Sequence, residues 1–157
     1  SLAVREGHLT LLRYIVEQHI APLNLGPNRV GLTPLQEGAR TGTLEVVEYL
    51  FERYGADSLL LDHRSMSSGC SALSDAAMRG HVDVVKCLLL HGADVNTRRT
   101  DGKTPLHCAA EFGYAEVIEA LLASGADPLR MDVLGRTALQ LTPKWHGVVR
   151  ALLIAAE

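Results

Sequence analysis

The sequence predicts an all-α solenoid of stacked helix–turn–helix units joined by extended hairpin turns, and three observations carry that expectation. A motif recurs at a register of 33 residues, a Ser or Thr precedes each short apolar helix, and no helix is long enough to bury its apolar face alone. Units of this kind must lean on one another, so the core runs along the stack.

The register is read from Thr104-Pro105-Leu106-His107, which aligns with Thr137-Ala138-Leu139-Gln140 at 33 residues and with Ser71-Ala72-Leu73-Ser74 at 33 residues in the other direction. The same offset carries Ala109-Ala110 onto Ala76-Ala77, Gly113 onto Gly80, Leu121-Leu122 onto Leu88-Leu89, and Gly125-Ala126-Asp127 onto Gly92-Ala93-Asp94. An earlier copy runs from Thr33-Pro34-Leu35-Gln36 to Gly55-Ala56-Asp57 and is five residues longer, one near the end of its second helix and four in the following loop. Ala3, Gly7, Leu11-Leu12 and Ile15-Val16 read as helical remnants of a first copy that lacks its opening. About five units result, with divergent terminal ones: 1–27 (partial), 28–64, 65–97, 98–130 and a capping unit 131–157, together a single domain over 1–157.

Within a unit, Thr33, Ser71, Thr104 and Thr137 are placed to accept an orphan backbone N–H at a helix start. Pro34 and Pro105 take the first helical position, where a missing N–H costs nothing, and Gln36 and Gln140 complete capping boxes. Leu106, Ala109 and Ala110 mark one face of a short helix that Gly113 ends. A second helix turns Val117, Ile118, Leu121 and Leu122 inward and stops at Gly125, a left-handed terminator. The stretch "ADPLRMDVLGR" is extended and turn-like before the next cap. In the longer loop "DSLLLDHRSMSSG" three consecutive leucines imply that part of it packs.

Composition excludes several classes. With 47% hydrophobic and 21% charged residues the chain is globular, and only 4% aromatics suits small helices in close contact. A net charge of -3 gives no whole-molecule attraction to nucleic acid. Cys70, Cys87 and Cys108 are odd in number and form no CxxC, which points away from a disulfide framework and toward a reducing compartment, cytoplasmic or nuclear. No apolar run approaches the ~18 residues of a membrane span. The opening "SLAVREGH" has neither Met nor an apolar signal core, and reads as a piece of a longer protein.

"DGKTPLHCAAEFGYAEVIEALLASGADP" and "CSALSDAAMRGHVDVVKCLLLHGADVN" resemble the ankyrin repeat along their whole length. The resemblance covers nearly the full chain: two units close to the pattern, one with insertions, and a divergent unit at each end. It implies a protein-binding module with no catalysis or cofactor of its own, acting as a monomer. The chain departs from the pattern at Arg99, where Asp is preferred and where Asp132 stands in the next unit. It departs again at "LTPKWHGVV", two residues short between helices.

The trio His107, Cys108 and Glu111 is the one constellation with the residue types of a reactive centre. The resemblance implies that His107 bonds around the Thr hydroxyl and neighbouring turns; its equivalents Gln36, Ser74 and Gln140 hydrogen-bond but make a poor metal set. Cys108 aligns with Glu37, Asp75 and Leu141, a position without shared chemistry, and Cys87 aligns with Ala120 as a packing residue. His81, His91, His107 and His146 fall at what read as unrelated repeat positions, whereas zinc needs about four converging ligands. No GxSxG or GxxxxGK[ST] is present, and no catalytic or metal site is expected. "LLLHGADVN" resembles ankyrin segments modified by an asparaginyl hydroxylase, which makes Asn96 a candidate for hydroxylation; the plainer role is a backbone bond in the loop.

The resemblance places partners on the concave face, made of turn tips and the outer side of each first helix. Carried over, those positions are Arg98, Thr100, Asp101, Lys103, Glu111 and Phe112 in the fourth unit, and Ser65, Ser67, Ser68, Cys70, Met78 and Arg79 in the third. The second unit gives Arg29, Val30, Leu32, Arg40 and Thr41, and the first Arg5 and Glu6. The last gives Met131, Val133, Leu134, Arg136, Lys144 and Trp145. Basic residues outnumber acidic ones in this set, while Glu45, Glu48, Glu52, Asp83, Glu116 and Glu119 face the opposite side. The expectation is a basic groove over an acidic back, taking an acidic or phosphorylated peptide with Phe112 and Trp145 as anchors. Trp145 has a second reading, a lid over the exposed end of the core. A nucleic-acid or nucleotide binder, stacking bases on Phe112 and Trp145, is the competing class.

Overall fold

The helices form wherever cap, apolar spacing and glycine stop coincide. A computed structural model describes residues 26–29 and 31–157. Among them lie α1 (Pro34–Thr41), α2 (Leu44–Tyr54), a 3-10 turn (Asp57–Leu59), α3 (Ala72–Arg79), α4 (Val82–Leu90), α5 (Pro105–Phe112), α6 (Ala115–Ala123), α7 (Ala138–Leu141) and α8 (Gly147–Ala156), with no strand. The first-unit remnants, Arg5, Glu6 and Val30 lie outside the described residues.

The helices stand in two layers. The first helices α1, α3, α5 and α7 pack in sequence as one row, and α2, α4, α6 and α8 pack as the other. Ala39, Ala76, Ala77, Ala109 and Ala110, all fully buried, let the first row approach closely, and Val46, Leu50, Val84, Leu88, Val117 and Leu121 fill the space between rows. The core is therefore continuous from α1 to Leu153 of α8.

Caps appear where expected. The hydroxyls of Thr33, Ser71 and Thr104 accept from the backbone N–H three residues on, and Thr33–Gln36 closes a full capping box. Thr104–His107 closes one too, the imidazole standing where the pattern more often has Gln or Glu.

Gly42, Gly80 and Gly113 end the first helices with φ of 76°, 74° and 79°. A methyl group on Gly80 would meet the Tyr114 ring at 2.7 Å, and equivalent methyls on Gly42 and Gly113 would meet the rings of His81 and His146 at 2.5 and 2.4 Å. Each glycine is required twice, by its left-handed backbone and by the ring laid against it from the next unit. This corrects the reading of the histidines as unrelated: His81, Tyr114 and His146 share one position, the residue that opens the second helix.

The longer loop packs through Leu59, 1% exposed, while Leu60 turns outward in a left-handed conformation at φ 50°. The following hairpin turn carries one extra residue. Ser65 N–H donates to the Cys70 carbonyl, where the next units close Arg99 to Lys103 and Asp132 to Arg136. Turn tips are tied in series: Thr100 donates its N–H and hydroxyl to the Ser68 carbonyl, and Val133 N–H donates to Asp101.

The Arg99 departure leaves the backbone turn intact. Asp132 accepts the N–H groups of Leu134 and Arg136 and pairs with the Arg136 guanidinium at 2.8 Å. Despite the desolvation that opposes it, these bonds hold the Asp132 carboxyl down at about 2. Arg99 cannot accept such bonds, and Asp101 takes over by accepting the Lys103 N–H at 3.2 Å.

The last unit is shortened because Pro143 follows α7 and holds Thr142 extended, at φ -68° and ψ 122°. Lys144 and Trp145 consequently stand in the turn between α7 and α8, not on the outer face of a first helix as the carried-over positions imply. Trp145 is 82% exposed and does not close the core.

Candidate partner-binding groove

The turn tips and the outer sides of α1, α3 and α5 form one surface. On it lies a cleft of about 490 Å³ between the second and third units, walled by Arg40, Met78, Arg79, Arg99 and the Ser65–Cys70 turn, with the buried Glu37 and Asp75 at its base. The expected Arg40, Met78 and Arg79 do come together here. Arg40 and Arg79 are exposed at the rim, and neither guanidinium is held in an ion pair by a described residue.

Elsewhere several cations are engaged, while Arg29 and Lys144 are exposed and pair with no described residue. Lys103 Nζ lies 2.7 Å from Glu111 Oε2, with the Lys103 side chain only 15% exposed. Arg136 is bound to Asp132 through both Nε and Nη2. Arg98 donates to the Met131 carbonyl at 3.1 Å, and Arg99 lies 3.5 Å from Asp101. Phe112 is 50% exposed, its ring 6.2 Å from that of Tyr114. The groove is thus less uniformly basic than its residues imply, and within the cleft the unengaged positive charge is that of Arg40 and Arg79.

Sequence reasoning missed Glu37 and Asp75, both 5% exposed at the cleft base. The signal was present: each lies three residues before an outer-face position, Arg40 and Met78, and residues three apart share a helix face. Asn28 Nδ2 donates to Glu37 at 3.1 Å. Asp75 Oδ2 has no hydrogen-bond partner. Burial pushes its carboxyl up to about 6, against the opposing charges of Arg79, Arg40 and Arg99.

The trio His107, Cys108 and Glu111 resolves into framework. His107 Nδ1 accepts the Thr104 N–H at 3.2 Å, which leaves Nε2 to carry the proton and donate to the Arg136 carbonyl at 3.0 Å. Burial lowers the His107 pKa, in keeping with a neutral ring. Cys108, 1% exposed, has its thiol pushed up to about 11 by burial, so it is not a thiolate at neutral pH. Among the described residues no group of three or more His, Cys, Asp or Glu side chains is arranged to hold a metal ion.

Asn96 ties two loops together: its Oδ1 accepts the Asp127 N–H at 3.0 Å and its Nδ2 donates to the Gly125 carbonyl at 3.2 Å.

A family model described as ankyrin repeats (3 copies) matches residues 57–132 and again 73–156, well over half of the chain. The chain belongs to the ankyrin-repeat family. Mouse BCL-6 corepressor-like protein 1 is 40% identical over 111 residues, 71% of this chain and 6% of that protein. The human protein of that name is 42% identical over 77 residues, 49% of this chain and 4% of that protein. A mouse B-cell lymphoma 3 protein homolog is 41% identical over 80 residues, 51% of this chain and 17% of that protein. The chain therefore spans only 4–6% of the length of the corepressor-like relatives it matches. Ankyrin repeats generally bind protein partners, and the described residues include no helix long and apolar enough to cross a membrane.

Proposed function

We propose that the chain is a non-catalytic recruitment module, one domain of about five units inside a larger intracellular protein, whose concave groove takes an acidic peptide segment of a partner. The observation that supports this most directly is the pair Arg40 and Arg79, exposed on either side of the cleft and unengaged by ion pairs with described residues. Exposed arginines beside an indentation are well suited to carboxylates, and they steer an acidic chain to the groove before contact. Phe112 supplies a half-exposed aromatic surface further along, and Lys144 and Trp145 extend the face past α7. Arg98, Asp101, Lys103, Glu111 and Arg136 act chiefly by holding the turn tips in line. The corepressor-like relatives are consistent with a role in assembling proteins, here through this segment alone.

The test is binding of fluorescein-labelled acidic peptide pools to wild type and to the Arg40→Glu/Arg79→Glu double variant. The expected result is a loss of about tenfold or more, with a flatter dependence on salt. Equal affinity in the double variant would sink the proposal. A single-stranded oligonucleotide that outcompetes the peptides would favour the nucleic-acid class instead.

A further inference from the structure

The base of the cleft carries an unmet acceptor. Asp75 is 5% exposed, and its Oδ2 has no hydrogen-bond partner, although Arg79, Arg40 and Arg99 all act on it through space. The Arg99 guanidinium, which lines the same cleft, does not satisfy it. Arg99 spends Nη1 on Met78 Sδ at 3.4 Å and Cys108 Sγ at 3.9 Å, both weak acceptors, and its Nε also lacks a hydrogen bond. Buried polar atoms are paired in the great majority of cases, so an orphan carboxylate oxygen at the base of an open cleft points to a ligand group.

The surrounding charges select that group. A cationic donor would meet Arg40, Arg79 and Arg99. A phosphate at the base would meet Asp75 and Glu37. A neutral hydroxyl meets neither objection, and can donate to Oδ2 while flanking carboxylates of the same peptide remain at the rim. Met78, half-buried on the cleft wall, is unbranched and can move aside to admit it.

Building on the proposed acidic-peptide groove, we infer that this cleft reads an unphosphorylated Ser or Thr of the partner on Asp75, while acidic residues next to that Ser or Thr pair with Arg40 and Arg79. At pH 7 Asp75 is mostly the acceptor form. Phosphorylation of the partner residue replaces the donor with charge and acts as an off-switch.

The experiment uses three labelled peptide pools with Asp/Glu on both sides of a fixed centre: Ser, Ala or phosphoserine. Wild type is expected to bind the Ser pool about ten- to a hundredfold more tightly than the Ala and phosphoserine pools, the scale of one hydrogen bond to a charged group. Asp75→Ala should bring the Ser-to-Ala ratio to about one, whatever the removal of its charge does to both pools together. Circular dichroism checks its fold, and Asp75→Asn, which keeps the side-chain shape, should narrow the Ser-to-Ala ratio in the same direction. A phosphoserine pool that binds as well as the Ser pool, or a Ser-to-Ala ratio unchanged in both variants, overturns the inference and leaves the acidic groove standing. If no pool binds wild type, or the Arg40→Glu/Arg79→Glu variant binds all pools normally, the groove reading falls and this inference with it.

Discussion

His107 donates from Nε2 to the carbonyl of Arg136 at 3.0 Å, and this bond joins the fourth unit to the last. Gln36 does the same two units earlier. Its Oε1 accepts the Thr33 N–H at 2.9 Å, and its Nε2 donates to the Cys70 carbonyl at 2.7 Å. Cys70 and Arg136 each stand immediately before the next unit's cap. An amide and an imidazole thus perform one task, satisfying a helix start and reaching across to the following turn.

The neutral ring makes stability depend on pH. A histidine whose folded pKa is depressed below its unfolded value of about 6.5 contributes stability that is present above that value and lost as pH falls through and below it. Asp75 works in the opposite direction over the same range, so the His107 contribution is read as the difference between wild type and His107→Gln in chemical denaturation at pH 7.5 and pH 5. His107→Gln should keep most of the stability at pH 7.5 and gain on wild type at pH 5. An identical pH slope in that variant would contradict the assignment.

Ser74 occupies the same position but is too short for the task. Ser71 instead bonds to Ser74 Oγ at 3.2 Å and to Thr97 Oγ1 at 3.0 Å. Ser74→Gln should add the missing link to the next turn and stabilise by about 0.5–1.5 kcal/mol, the net worth of a hydrogen bond. A thermal melt measures it, and a lower Tm would mean that the Thr97 contact matters more.

Gly80→Ala should destabilise by about 2 kcal/mol or more, through left-handed backbone strain and collision with Tyr114. The double variant Gly80→Ala/Tyr114→Ala should recover the collision part and leave the backbone part. Urea midpoints of the two variants separate them; equal midpoints would show that the ring contact is unimportant.

Asp75 acts on stability in the opposite sense to His107. Its folded pKa of about 6 lies above the ordinary carboxylate value of 3.8, so the folded state holds the proton more tightly, and stability declines as pH rises from about 4 to 6. At pH 7 the whole penalty is present. Asp75→Asn should therefore stabilise at pH 7 by about 1–3 kcal/mol and have little effect near pH 4. Retention of a destabilising carboxylate is what a binding acceptor requires, and a destabilised Asp75→Asn at pH 7 would argue against the buried unpaired charge.

The ankyrin architecture was legible because its causes are local. Thr104, Pro105 and Gly113 act within a single turn of chain, and the 33-residue register repeats those local decisions often enough to read without a structure. The family resemblance, carried over position by position, is what put Arg40, Met78 and Arg79 on one face. It failed where the outcome depended on what another unit supplied. The position shared by Glu37, Asp75 and Cys108 looked featureless along the chain, and only stacking placed two of its carboxylates at the base of a cleft. Lys103 and Arg136 counted as groove charges until Glu111 and Asp132 were found paired with them. His81, Tyr114 and His146 differ in residue type, so their common place against the preceding unit's glycine emerged only from packing. Caps, helix stops and the repeat itself are short-range and were determined by the sequence alone; the burial of a charge, the pairing of a surface cation and the exposure of Trp145 depend on groups about 33 residues away, and those only the tertiary structure decided.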